Sequence, residues 1–238
     1  MAGVPVTAAS YNIRKAVGAD LRRRPERILA VLDEIGPDVA LLQEADRRFG
    51  ARAAALPPAL VEGHGYRVVP VAGGAAASIG WHGNAILIGP RVEALATTAV
   101  EIPALEPRGA VIAELAVEGA PLRVVGMHLD LSGLWRRRQA HAILSHLAQR
   151  DGDPPSVLMG DLNEWRASAG CIADFMAEFH RLPLGFTFPA GRPIAALDRV
   201  FLSDDVTAID HGVHRSPASR AASDHLPVWV RLELPRPA

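Results

Sequence analysis

Residues 110–130 read AVIAELAVEGAPLRVVGMHLD. The runs 110–117 and 122–127 are apolar and β-type, and Glu118-Gly119-Ala120-Pro121 between them carries the Gly and Pro of a chain reversal. The pair therefore reads as a hairpin. The second run breaks off in His128-Leu129-Asp130. The same design, a short apolar run ending in a polar residue, recurs along the chain. Strand-like segments cover Val4–Asn12, 39–42, 66–71, 84–88, 157–159, 196–202 and 227–234, separated by Gly/Pro turns. Between them lie helical patterns. Ile28, Val31, Leu32 and Ile35 follow helix spacing over Pro25–Ile35, with Pro at the start and Gly36-Pro37 at the stop. Ser132 stands as a cap before the stripe Ala140, Ile143, Leu144 and Leu147, and a weaker helix is expected over 170–179. So many short strands, some hairpin-linked, do not fit one doubly wound sheet. They predict an α/β four-layer sandwich, two packed mixed β-sheets flanked by helices. No linker or repeat divides residues 1–238, which are expected to form a single domain, with the Ala/Gly-rich 71–83 as a surface loop.

Composition narrows the function classes. Of 238 residues, 49% are hydrophobic and 21% charged, enough apolar material to bury a core, so the chain is not a disordered one. No apolar run of about 18 residues exists to cross a membrane as a helix. The first residues lack a basic flank before an apolar core, and Cys171 is the lone cysteine, so a cytoplasmic location is expected and Cys171 reads as an inert packed thiol. Lys15 is the only lysine and follows Arg14, which removes any P-loop. Neither G-x-S-x-G nor H-E-x-x-H occurs. A net charge of −1 provides no field that would hold a polyanion over the whole surface.

The polar strand ends carry the chemistry. In chain order they are Asn12, Glu44, His128, Asp161 with Asn163, Asp198, and Asp224 with His225. Strand ends at one edge of a sandwich converge, so these groups can share a site. Carboxylate and amide oxygens suit Mg²⁺ or Mn²⁺, and the absence of paired Cys or closely spaced His argues against a zinc cage. Histidines set among these aspartates can form acid/base pairs. Singly, each residue also has an ordinary reading: a cap for Asp161, an ion pair with Arg199 for Asp198, a hydrogen-bonded core histidine for His128.

Six segments together resemble the endonuclease/exonuclease/phosphatase superfamily. They are Tyr11-Asn12-Ile13-Arg14, Leu42-Gln43-Glu44, Met127-His128-Leu129, Gly160-Asp161-Leu162-Asn163, Leu197-Asp198-Arg199-Val200-Phe201 and Ser223-Asp224-His225, in the family's order. The resemblance implies a metal-dependent phosphoester hydrolase. Glu44 would be the main metal ligand, with Asn12 and Asp224 near the same ion. Asp161 would orient or deprotonate the attacking water, and Asn163 would hold a phosphate oxygen. His225, paired with Asp198, would act as base or as electrostatic stabiliser. His128 would bind the phosphate or protonate the leaving oxygen, and at this position it aligns with the deoxyribonuclease and sphingomyelinase branches. The family also points to Thr187-Phe188-Pro189 and Asn163-Glu164-Trp165-Arg166 as marks of a compact bacterial branch.

Near-neutral charge favours a small-molecule or lipid phosphodiester as substrate. A nuclease and a catalytically inactive binding protein of the same fold are the alternatives. Arg108 is a candidate phosphate clamp, since Arg binds phosphate bidentately. Trp135 and Trp165 are candidates for the pocket wall. Arg22–Arg24 and Arg136–Arg138 read as solvated faces, with contact to a phosphate-bearing ligand as the alternative, and the remaining histidines as surface or packing residues, with His82 in a Gly-rich loop able to reach a substrate.

Overall fold

In the computed structural model, which describes residues 3–47, 50–150 and 152–236, twelve strands alternate with short helices. In chain order, β1 (Val4–Asn12) leads through a 3-10 turn, Arg14–Ala16, to α1 (Pro25–Ile35) and β2 (Val39–Gln43). Next come α2 (Pro58–Gly63), β3 (Arg67–Val68), β4 (Ala85–Ile88), β5 (Val92–Val100), β6 (Gly109–Val117) and β7 (Ala120–His128). The chain continues with α3 (Gly133–Ala148), β8 (Ser156–Asp161), α4 (Cys171–Met176), β9 (His180–Arg181) and β10 (Asp198–Leu202), and closes with β11 (Thr207–Val213), α5 (Pro217–Ala222) and β12 (Val228–Leu234).

Two six-stranded sheets result, ordered β11-β12-β1-β2-β4-β3 and β5-β6-β7-β8-β10-β9. Each has one parallel pair at its centre, β1 with β2 and β7 with β8, and antiparallel neighbours elsewhere. Parallel neighbours need a crossover, and α1 and α3 supply it. Alternation along the strands then sorts the side chains into three apolar layers. Val111, Ala113, Leu122 and Val124 meet Val6, Leu41 and Val230 between the sheets. Ala40 and Leu42 face outward to Ile28, Leu29 and Leu32 of α1. Val125 and Met127 face outward to Ile143 and Leu144 of α3. Helix, sheet, sheet, helix is the four-layer α/β sandwich expected from sequence.

The register places the future site. Asn12 lies opposite Gln43, His128 opposite Asp161, and Asp161 opposite Asp198. β1, β2, β7 and β8 therefore end at one edge, where β10 and β12 begin. Gly160 lets β8 lie close enough: a Cβ there would sit 1.9 Å from the Met127 carbonyl oxygen. The β6–β7 hairpin is tighter than expected. Its turn is Glu118-Gly119 alone, both at positive φ (48° and 84°), the primed geometry that matches strand twist.

Several boundaries shift. The strand expected over 66–71 shrinks to β3, and the helix over 170–179 to α4. Ser132 occupies the N-cap of α3, but its side chain makes no capping bond. Arg136 is no solvated residue: it is buried, with Nε and Nη2 at 3.2 and 3.0 Å from Glu164 Oε2. β5, β11, α2 and α5 carry no apolar periodicity long enough to be seen beforehand. Among the described residues, no helix is long and apolar enough to cross a membrane.

Candidate active site

Two side-chain–side-chain hydrogen bonds cross between the sheets at the shared edge. Asn12 Nδ2, at the end of β1, donates to Asp161 Oδ2 at the end of β8, 2.9 Å away. His225, just before β12, donates from Nδ1 to Asp198 Oδ2 at the start of β10, also at 2.9 Å. Asp161 is the hub. Its Oδ2 lies 3.4 Å from His128 Nε2 and 3.7 Å from His225 Nε2, and its Oδ1 accepts the Asn163 backbone N–H at 2.9 Å. Asp161, Asp198 and His225 form a buried cluster with potential ligand atoms within 4.8 Å of one another. Five predicted residues, Asn12, His128, Asp161, Asp198 and His225, are thus gathered in one place. Asn163 adjoins them, at φ 51°, with its side-chain amide donating to Leu129 O at 3.0 Å and one N–H left over.

Burial and neighbours set the charges. Burial pushes the Asp161 carboxyl well above its usual range, and the Asp198 carboxylate adds to the rise; His225 and the Asn12 amide oppose it. For His225, burial alone disfavours the cation, yet the Asp198 and Asp161 carboxylates outweigh it and hold the ring protonated well above its ordinary pKa. Asp198 Oδ1 is buried and finds no hydrogen-bond partner among the described residues. Thr187 Oγ1 supports the same strand end, accepting the Leu197 and Asp198 N–H groups at 3.3 and 3.4 Å. Phe188 lies against the His225 ring, centroids 4.9 Å apart, and Trp165 meets Phe188 edge-on at 6.4 Å.

Glu44 and Asp224 stand at the border of this cluster, each with a cationic partner. Lys15 Nζ lies against Glu44 Oε2, and Arg14 Nε is 3.3 Å from Asp224 Oδ2. The Arg14 N–H also reaches Asn12 Oδ1 at 3.1 Å, so one short segment links Asn12, Glu44 and Asp224. Arg14, Lys15 and Ala16 all take positive φ to do this. The donor set fits a hard divalent cation: two part-exposed carboxylates and an amide oxygen, already arranged about positive charge.

Arg108 is buried with its guanidinium against both ring nitrogens of His128. Beside His82, which the sequence already marked, its neighbours include two groups that no motif marks, Asp46 and Arg52. Asp46, two residues past Glu44, is buried and accepts from Arg52 (3.1 and 3.2 Å), Ser78 (3.1 Å) and Gly83 N–H (3.2 Å). Arg52 in turn reaches His82 Nδ1 at 3.4 Å. Glu44, Arg52, His82, Arg108 and His128 line one narrow cleft of about 20 Å³, and beside it a groove of about 420 Å³ runs along Trp81, Glu101, Ile102 and Leu105. A larger hollow of about 590 Å³ at the opposite end of β7 and β8, near Arg123 and Ser203, holds none of these groups. Trp165 is exposed at the rim, whereas Trp135 sits under the Arg138 guanidinium at 5.1 Å. Cys171 is fully buried, and burial pushes its thiol up to about 12.

Comparison with known proteins agrees with this layout. No protein of curated function matches the sequence. An endonuclease/exonuclease/phosphatase from Bacteroides vulgatus is similar over 97% of this chain and 99% of its own, at 19% identity and a TM-score of 0.77. TDP2 of D. rerio, solved with a single-stranded DNA product, is similar at 18% identity, covering 96% of this chain and 99% of its own, with a TM-score of 0.73. A mannosyl-6-phosphatase of Bacteroides thetaiotaomicron is similar at 18% identity over 95% of this chain and 99% of its own, also at 0.73. At such identities the likeness establishes the fold. The model of the Endonuclease/Exonuclease/phosphatase family matches residues 9–225, the span from β1 to His225, and to that family the chain belongs.

Proposed function

We propose that the chain is a Mg²⁺- or Mn²⁺-dependent phosphodiesterase acting on a small-molecule or lipid phosphodiester. One observation carries the reading. The two side-chain pairs that cross between the sheets, Asn12 with Asp161 and His225 with Asp198, bring acid, amide and imidazole groups from four strand ends to one point beside a cleft. A purely structural edge has no use for so many buried ionisable groups.

In this reading Glu44, Asn12 and Asp224 hold the cation. When bound, the cation neutralises charge on the phosphoryl oxygens. Asp161, its pKa raised by burial, orients the attacking water and accepts its proton. The water oxygen forms a bond to phosphorus as the ester P–O bond breaks, and the leaving alkoxide takes up a proton. The protonated His225, held by Asp198, points Nε2 into the site and stabilises the negative charge that builds on the phosphate. It therefore acts as a stabiliser rather than as the base. In this reading Arg108 with His128 binds the phosphate, and His128 protonates the leaving oxygen. Asn163 contributes its remaining N–H to a phosphoryl oxygen.

Hydrolysis of bis-p-nitrophenyl phosphate tests the reading. The parent should turn over with Mn²⁺ and stop in EDTA, and Asp161→Ala should lose about 10²–10⁴ in rate. Metal-independent turnover, or an Asp161→Ala variant as fast as the parent, would defeat the mechanism. Steep loss of affinity for DNA with rising salt, with no action on small diesters, would favour the nuclease instead.

A further inference from the structure

Ten large apolar side chains stay exposed among the described residues, and six of them adjoin one sheet at the edge of the candidate site, five on loops and Leu134 at the start of α3. These are Leu105 before β6, Leu131 and Leu134 after β7, Trp165 after β8, and Phe186 and Ile194 before β10, each 53–68% exposed. Chance would scatter such residues over all faces, and a clustered apolar rim marks a binding surface. The rim is continuous with the chemistry. Trp165 meets Phe188, and Phe188 lies on His225. On the other flank, Leu105 lines the groove that ends at Arg108 and His82. Glu101 and Glu106 line that groove as well, so the apolar part of the path is the Trp165–Phe188 flank.

Positive charge is interleaved with the apolar tips. Arg138 follows Leu134, Arg166 follows Trp165, and Arg192 precedes Ile194, all exposed, whereas Arg137 is held by Asp174. On the facing sheet, exposed Leu21 is followed by exposed Arg22, Arg23 and Arg24. Several acidic groups on this edge are engaged, Asp20 by Arg27, Asp174 by Arg137, Glu164 by Arg136 and Glu106 by Arg108, while Glu101 beside Leu105 is exposed. Leu, Ile, Trp and Phe tips beside arginines match the boundary between acyl chains and anionic headgroups. Four of the six rim residues are aliphatic, which does not suit base stacking, since stacking needs aromatic faces.

We infer that this edge docks on an anionic phospholipid bilayer and that the ester cleaved belongs to a lipid of that bilayer. The inference rests on the phosphoesterase reading above and names its substrate class.

The test compares the parent with Leu134→Glu/Ile194→Glu. Both positions are exposed and neither touches the reacting groups. Co-sedimentation is measured in EDTA with vesicles of phosphatidylcholine plus phosphatidylglycerol and with phosphatidylcholine alone. Turnover is measured with Mn²⁺ on bis-p-nitrophenyl phosphate and on vesicle lipid. The parent should sediment with the anionic vesicles and release lipid headgroup or phosphate. The double variant should bind them about a hundredfold more weakly, about tenfold per buried side chain lost, and should keep the parent's rate on the soluble ester. A parent that hydrolyses the soluble ester but ignores vesicles, or that binds vesicles and leaves their lipid intact, overturns the inference while the phosphoesterase reading stands. Vesicle binding with no hydrolysis of any ester overturns that reading and leaves only the docking. Absent vesicle binding, a single-stranded oligonucleotide complex or a self-dimer abolished by the double variant would reassign the rim and overturn the inference.

Discussion

Asp198→Asn removes one charge from the floor of the site and leaves its shape. The Asp198 carboxylate is fully buried and holds the His225 Nδ1 proton at 2.9 Å. A charge-assisted hydrogen bond of this kind contributes about 1.5–3 kcal/mol. Losing it should lower the imidazole pKa by about 1–2 units. Burial already works against the cation, so the ring moves toward neutrality once its strongest supporting charge is gone. If the cationic ring stabilises the phosphate in the transition state, turnover of bis-p-nitrophenyl phosphate should fall about 10²–10³-fold with little change in KM. The direct readout is an NMR titration of His225 without metal, in which the variant's midpoint should move to lower pH. Stability follows the same sign. A raised folded pKa contributes stability in full below the ordinary imidazole value of about 6.5, and the contribution fades as pH rises through the folded value. The parent's lead in thermal stability over Asp198→Asn should therefore be greatest in mild acid and shrink on the alkaline side. A variant as fast as the parent, with an unmoved His225 titration, would refute this account of the dyad.

Three further outcomes are expected. Lys15→Met frees the Glu44 carboxylate from its ammonium partner; the pair is part-exposed, so the gain is at most about 1 kcal/mol, and Mn²⁺ should bind up to about fivefold more tightly by calorimetry. Weaker binding would mean that Lys15 assists the cation rather than competing with it. Cys171, buried and with its thiol pushed up to about 12, should resist iodoacetamide at neutral pH in the folded protein and react only after denaturation; rapid native labelling would contradict the packing at α4. Gly160→Ala forces a Cβ to within 1.9 Å of the Met127 carbonyl oxygen. The central β7–β8 pair must then part, and a fall in thermal midpoint of several degrees is expected by calorimetry, about 2–4 °C per kcal/mol for a chain of this length.

Much of the architecture was visible as apolar runs because the central strands are covered on both faces. β2, β7 and β8 are buried along almost their whole length, so each shows as an uninterrupted apolar stretch that stops where the sheet meets solvent. The stop is itself informative: a polar residue directly after such a stretch sits at a sheet edge, which is how Asn12, Glu44, His128 and Asp161 could be picked out. Edge strands give no such signal. β5 and β11 alternate with many exposed positions, and α2 and α5 are six residues long, too short for a helical period to show. Arg136 was misjudged for a related reason. Three arginines in a row look solvated, but α3 turns the first inward to Glu164.

The chain's linear order thus settled which segments become strands and which chemical groups stand at their ends, because apolar run length and its abrupt ending are local properties. It could not settle how those ends are paired. That Asn12 reaches Asp161 across 149 residues, that His225 meets Asp198, and that Lys15 and Arg14 take the carboxylates of Glu44 and Asp224 depend on two sheets packing face to face in one register. The same packing turns single leucines and isoleucines from separate loops into a common rim. Proximity between remote residues is a property of the packed layers, and side-chain spacing along the backbone carries no record of it.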